Sequence, residues 1–239
     1  MNVRLDRVRA LRNEVAVLAY EARRPRGVTL VVGHGYSSSK HNLDFMCGFL
    51  ASHGFAVYSL DFPGHKLGAS GGELRGVDDC VDAMSAVVAH ARAQQPGPLL
   101  TAGHSMGAMT ALLTAAADPQ VAGAIAIATG YGRPSAIDAL KNVGATDFRS
   151  GYVDGVSLPE LVGGIDARYD AALPSLAGRP LLFVAAEKDA MVSRASVEDL
   201  YGRAPEPKSL ETVESDHTYA GDNARGTLLQ WLNELFPRG

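Results

Sequence analysis

The chain has 239 residues, 46% of them hydrophobic and 20% charged, with a formal net charge of −4. That length can bury a large core, and the absence of any basic stripe argues against a nucleic-acid or polyanion partner. Only two cysteines occur, Cys47 and Cys80; both fall in helix-like segments and read as small buried apolar groups, with no disulfide expected.

The segment Met1–Arg12 carries a charge at every second or third position. It lacks the apolar stretch of a signal peptide, and no window reaches membrane-spanning length, so a cytoplasmic protein is the expectation. Arg23-Arg24-Pro25-Arg26 reads as a solvated turn. Val3–Val8 and Val15–Ala22 alternate apolar and polar residues, as half-exposed antiparallel strands do. Val28–Gly33 is a continuous apolar run, as in a strand covered on both faces, and Gly33-His34-Gly35-Tyr36 follows it. Leu43–Ser52 has helical spacing, with Leu43, Met46, Cys47 and Leu50 on one face and Gly54 beyond its end. Phe55–Leu60 is a short apolar strand leading into Asp61-Phe62-Pro63-Gly64-His65. Val77–Gln94 is a long amphipathic helix.

Leu99–Gly103 is the next strand, and the Ala/Leu-rich Ala108–Ala117 is a helix. Between them stands Gly103-His104-Ser105-Met106-Gly107. G-x-S-x-G between a strand and a helix describes a nucleophile elbow, with the serine at the apex of a strained turn. The flanking glycines are needed because larger residues two before and two after would collide with the strand and helix. Ser105 also sits at a helix N-terminus, where free N–H groups and the dipole favour a developing negative charge. The alternative reading is an ordinary turn with a helix-capping serine.

Val121–Thr129, Pro180–Ala186 and Lys208–Val213 complete the strands, with helices at Ser196–Gly202 and Ala224–Leu235. Strand and helix alternate after an antiparallel start, which predicts an α/β fold: a mostly parallel sheet with helices on both faces. Ligand sites in such sheets lie at the carboxyl ends of the strands. Polar residues do follow the apolar runs at the Gly33 loop, the Asp61 loop, the elbow, Asp189 and Asp216-His217.

Acyl transfer by a serine needs a base, a group that orients the base, and oxyanion donors. Of the seven histidines, His217 follows the last strand, which is where the order Ser…Asp…His places the base; His65 and His34 are the other candidates. His53 and His90 read as surface or satisfied residues. By strand alternation His104 points away from the site and braces the turn. Asp189, after the Pro180–Ala186 strand, is the orienting acid, with Glu187 and Asp216 as competitors and a helix N-cap as the bland role for Asp189. The backbone N–H groups of Met106 and Tyr36 are the expected oxyanion donors. No His/Asp cluster has metal-ligand spacing, so neither a metal nor another cofactor is expected.

These residues together resemble the α/β-hydrolases. Gly33 to Glu73 is similar to the branch that holds monoacylglycerol lipases, cinnamoyl esterases and serine aminopeptidase-like hydrolases, whose pattern there reads D-x-x-G-H-G-x-S-x-G. Here Lys66 replaces the glycine after the histidine, and Leu67-Gly68-Ala69-Ser70 inserts about one residue relative to that pattern. The resemblance implies a sheet of about eight strands with the second antiparallel. It also implies a core of residues 1–129 and 177–239, with a short lid at 130–176. Ser135-x-x-Asp138 and Ser157-x-x-Glu160 are helix-start signatures within that lid. Tyr36, Tyr131, Tyr152, Leu161 and Tyr169 are candidate pocket residues, and the lid also holds Phe148, Leu158 and Ile165. The implied activity is hydrolysis of a small-molecule carboxylic ester or thioester. The same residues would also serve acyl transfer or cleavage of a lactone, a peptide or a carbon–carbon bond. A binding module without turnover would not need all three competent residues.

Overall fold

The computed structural model describes residues 1–132 and 149–238. Two strands, β1 (Asn2–Arg9) and β2 (Glu14–Glu21), pair in antiparallel fashion, and β2 pairs again in antiparallel fashion with β4 (Ala56–Leu60). From there β3 (Thr29–Gly33), β4, β5 (Leu99–His104), β6 (Gly123–Ile127), β7 (Leu181–Ala186) and β8 (Lys208–Val213) run parallel. The sheet order is β1-β2-β4-β3-β5-β6-β7-β8. This is the eight-stranded sheet with an antiparallel second strand that the resemblance implies.

Among the described residues the helices are α1 (Asp44–Ser52), α2 (Val77–Gln94), α3 (Met106–Ala117), α4 (Leu158–Val162), α5 (Ile165–Ala172), α6 (Arg194–Arg203), α7 (Ala220–Asn223) and α8 (Arg225–Leu235). Alternation along the central strands splits the core into two layers. Val31, Ala126 and Phe183 pack with α2, α3, α5 and α6 on one face. Their neighbours Leu30, Val32, Ile125, Ile127, Leu182 and Val184 pack with α1 and α8 on the other. Both faces are therefore apolar, which is why these strands read as unbroken hydrophobic runs.

Element ends moved where local hydrogen bonding overrode the pattern. A 3₁₀ turn at Lys40–Leu43 precedes α1. The expected Val121–Thr129 strand is shorter, because Val121 N–H closes a turn onto Asp118 O and Ala128 takes φ 51°. Helix α6 starts at Arg194, capped by Ser193, whose hydroxyl accepts from Ser196 N–H. Asp189 is thus not that helix's cap.

β3 pairs with β4 on one side and with β5 on the other. The chain reverses its progress across the sheet at this point, and a crevice opens at the carboxyl ends of β3 and β5. The Gly33 loop and the elbow flank that crevice.

Candidate active site

Tyr36, Ser105, Asp189 and His217 each stand within four residues of the carboxyl end of a parallel strand. β5 ends at His104 and α3 begins at Met106, so Ser105 makes the reversal alone, at φ 53° and ψ −112°. Such a backbone costs about 1–3 kcal/mol and persists only where its surroundings enforce it. A Cβ on Gly103 would lie 2.2 Å from the Gly107 carbonyl carbon, and one on Gly107 would lie 2.0 Å from the Gly33 oxygen. Both glycines are therefore sterically required. Ser105 N–H donates to the Ile127 carbonyl at 2.8 Å, which ties the apex to the end of β6.

The structure brings Ser105, His217 and Asp189 together. Ser105 Oγ lies 3.1 Å from His217 Nε2, and His217 Nδ1 lies 2.7 Å from Asp189 Oδ2. A carboxylate only accepts, so Nδ1 carries the proton and Nε2 is left to accept from the serine. The other Asp189 oxygen, Oδ1, accepts from the N–H groups of Met191 and Val192, both at 2.8 Å. Burial pushes the Asp189 carboxyl up. The hydrogen bond and charge of His217, with those two N–H donors, outweigh it and hold the group below the usual carboxylate range. Of the competitors, Glu187 is exposed, and Asp216 closes its own turn by accepting from Tyr219 N–H at 3.0 Å.

The Gly33-His34-Gly35-Tyr36 loop crosses directly beside the serine: a Cβ on Gly35 would lie 3.5 Å from Ser105 Cβ. The Gly35 carbonyl accepts from His34 Nδ1–H at 2.8 Å and from Ser38 N–H at 3.2 Å. A trans peptide directs its N–H opposite its carbonyl, so the Tyr36 N–H is aimed away from His34 and Ser38. Met106 is the first residue of α3, where an N–H has no acceptor within the helix. His34 Nε2 accepts from Phe62 N–H at 3.0 Å, and burial together with the nearby His65 pushes its pKa well down. His34 is thus a neutral staple behind the loop, with its ring 4.8 Å from that of His65. Neither ring replaces His217.

Sequence reasoning missed what lies beneath that loop. Lys40 and Asp61 are both buried; Asp61 takes the Lys40 N–H at 2.7 Å, the Lys40 ammonium at 2.5 Å and the Ala69 N–H at 2.7 Å. Burial raises the Asp61 carboxyl, but the Lys40 bonds more than offset it and the net direction is down. The exposed-looking lysine in Ser39-Lys40-His41 carried no sequence signal of this pairing. His104 is a correction. Its side chain does not leave the site: Nε2–H donates to the His217 carbonyl at 2.7 Å.

A narrow cleft opens beside Ser105, lined by Met106, Met109, Thr129, Leu158, Val162, Ile165 and Tyr169. Of the expected pocket residues, Tyr169 lines it, with its hydroxyl 3.2 Å from Thr129 Oγ1. The other four do not. Leu158 and Val162, four apart on α4, share the cleft face, while Leu161 packs into the core. Tyr36 turns its hydroxyl to the Val156 carbonyl at 3.0 Å. Tyr131 lies under the Arg203 guanidinium and donates to Asp170, and Tyr152 is an exposed residue beside Arg149.

Ser157 and Glu160 form the expected capping box at the start of α4. Residues 150–157 form a strap laid on the loop after β4, with bridges His65–Val153 and Leu74–Gly155. The Ser135–Asp138 signature and Phe148 lie outside the described residues. Among the described residues no cluster of His, Cys, Asp or Glu is placed to hold a metal ion, and no helix is long and apolar enough to cross a membrane.

A family model described as Serine aminopeptidase, S33 matches residues 23–151, more than half of the chain. Solved structures share the fold at low identity. An a/b serine hydrolase without lid from Xanthomonas campestris is 19% identical, with TM-score 0.71 and coverage of 100% of this chain and 97% of the other. A thermophilic esterase from Thermogutta terrifontis, solved with malate bound, is 16% identical, with TM-score 0.71 and coverage of 98% and 99%. The esterase domain of a Rhodothermus marinus protein is 18% identical, with TM-score 0.72 and the same two coverages. No curated protein matches the sequence.

Proposed function

The chain belongs to the serine aminopeptidase S33 family, a group of α/β-hydrolases, and on that premise we propose that it is a serine hydrolase acting on a small-molecule carboxylic ester or thioester. The observation that carries this reading is the continuous chain Ser105 Oγ–His217 Nε2 at 3.1 Å and His217 Nδ1–Asp189 Oδ2 at 2.7 Å, on a serine held at positive φ.

Ser105 Oγ attacks the acyl carbon while His217 Nε2 takes its proton. The charge moves to the carbonyl oxygen, where the N–H groups of Met106 and Tyr36 are the donors. Collapse of the tetrahedral adduct breaks the bond to the leaving group, which takes the proton from His217. Water then enters by the same route, with His217 as base, and frees Ser105. Asp189 keeps the His217 proton on Nδ1 and stabilises the imidazolium formed in each half-reaction. Its lowered pKa keeps it ionised for this role.

The cleft beside Ser105 is the acyl subsite in this reading. Its walls from Met106, Met109, Leu158, Val162 and Ile165 are apolar, which favours an uncharged acyl group. The described residues 149–176 belong in this reading to a short cap over the core of residues 1–129 and 177–239. A cytoplasmic setting belongs to the same reading, and the two buried free thiols Cys47 and Cys80 are consistent with it.

The test is turnover of p-nitrophenyl esters of graded acyl length, with labelling by a fluorophosphonate. Wild-type protein should hydrolyse the esters and take one label, and Ser105→Ala should do neither. Full ester turnover by Ser105→Ala would overturn the proposal.

A further inference from the structure

We propose that His104, the residue before the nucleophile, is a positioning residue that locks the base loop in register with both the serine and the oxyanion loop. The inference rests on the reading of Ser105 and His217 above. Three elements converge on this one side chain. The loop after β8 lies on one flank: His104 Nε2–H donates to the His217 carbonyl at 2.7 Å, and the two imidazole centres are 4.8 Å apart at 52°. The oxyanion loop lies on another, since a Cβ on Gly35 would sit 3.1 Å from His104 Nδ1 and 3.6 Å from its Cε1. The start of α7 closes the third, with a Cβ on Gly221 lying 3.9 Å from His104 Cβ.

This arrangement does what the two side-chain bonds of the triad cannot. Those bonds orient the His217 ring, but they do not fix the backbone that carries it. His104 holds that backbone by its carbonyl, and His104 is joined covalently to Ser105. The nucleophile and the base are thereby linked through two short connections: the Ser105 Oγ–His217 Nε2 bond on one side and the His104 bond on the other. The close approach of Gly35 puts the oxyanion loop against the same ring, so one buried imidazole registers all three parts. A displacement of about 1 Å in a catalytic group costs on the order of 10²-fold in rate, which is what a loosened His217 loop would bring.

Two variants separate positioning from bulk. His104→Phe keeps a flat ring and its packing but removes the donor. His104→Gln places an amide nitrogen where Nε2 stands. In His104→Phe, kcat for a p-nitrophenyl ester should fall about 10- to 100-fold with KM unchanged, and the rate of phosphonylation by a fluorophosphonate should fall by the same factor. The downfield proton NMR signal of His217 Nδ1–H in the free protein should broaden by faster exchange. His104→Gln should recover most of both rates and the signal, while the two variants share one Tm. Wild-type rates in His104→Phe would overturn the inference. So would equal losses in both variants that follow a common drop in Tm. The NMR signal needs no substrate. If wild-type protein shows that signal, His104→Phe loses it, and neither protein reacts with esters or phosphonate, the positioning role stands and the hydrolase reading fails.

Discussion

Ser105 is strained, buried and enclosed by two glycines that admit no Cβ. Such strain is kept where it exposes a reactive atom at a fixed place. Asp189→Asn tests whether its charge and acceptor geometry matter beyond shape. An amide in that position leaves the packing intact but presents the wrong partner to His217 Nδ1, and kcat should fall by about 10³- to 10⁴-fold with little change in Tm. A loss of less than tenfold, measured on the same ester, would remove Asp189 from the mechanism. Much at this scale was legible in sequence. Ser105 and Asp189 each follow an apolar run, His217 follows the half-exposed last strand, and their order along the chain matches their order across the sheet. His104 was misread because strand alternation describes where a side chain leaves its own strand, not what another loop brings back to it. Lys40 was missed because a lysine buried by one distant carboxylate has no periodicity of its own.

Elements rather than residues shape the cleft. Helix α4 delivers Leu158 and Val162, and α5 delivers Ile165 and Tyr169, each pair four residues apart. The strap at 150–157 fixes where α4 begins. Gly64 and Gly155 hold it: at positive φ, a Cβ on Gly64 would lie 2.4 Å from Asp154 O, and one on Gly155 would lie 1.9 Å from Leu74 O. Leu158→Ala should widen the cleft and move the best substrate toward longer acyl chains, read as kcat/KM over a p-nitrophenyl ester series, at a cost of about 2 kcal/mol in stability. Unchanged chain-length preference would place the acyl group elsewhere. The buried Lys40–Asp61 pair joins the loop after β3 to the loop after β4. Lys40→Met strands the Asp61 carboxylate, and denaturant unfolding should register a loss of about 3–5 kcal/mol. The capping box at Ser157 was readable because its two partners are three residues apart. The cleft lining was not, because it depends on which face of a five-residue helix turns toward Ser105.

Across the whole molecule, the alternating βα pattern made the doubly covered sheet legible, since both-face burial writes itself as unbroken apolar runs. The same burial sets the response to acid. His34 and His65 are buried and both have lowered pKa values, chiefly through desolvation. Below about pH 6.5 the unfolded chain therefore binds protons that the folded chain refuses, and stability falls with pH by up to about 1.4 kcal/mol per unit for each histidine. Asp61 and Asp189, with lowered pKa values, extend that loss further into acid. Their contribution is complete above the unfolded carboxylate pKa and disappears as pH falls through the folded values. Urea midpoints at pH 7.5 and 5 should show the first effect, and His34→Gln should flatten it. A midpoint that does not move would mean that neither histidine is held neutral.

In the proposed mechanism Ser105 carries the acyl group between two half-reactions. Rapid quenching of p-nitrophenyl butyrate turnover, followed by intact-mass and peptide analysis, reads that intermediate directly. The peptide containing Ser105 should carry a butyryl adduct in wild-type protein and none in Ser105→Ala. Turnover by wild-type protein with the adduct on another residue would contradict that mechanism.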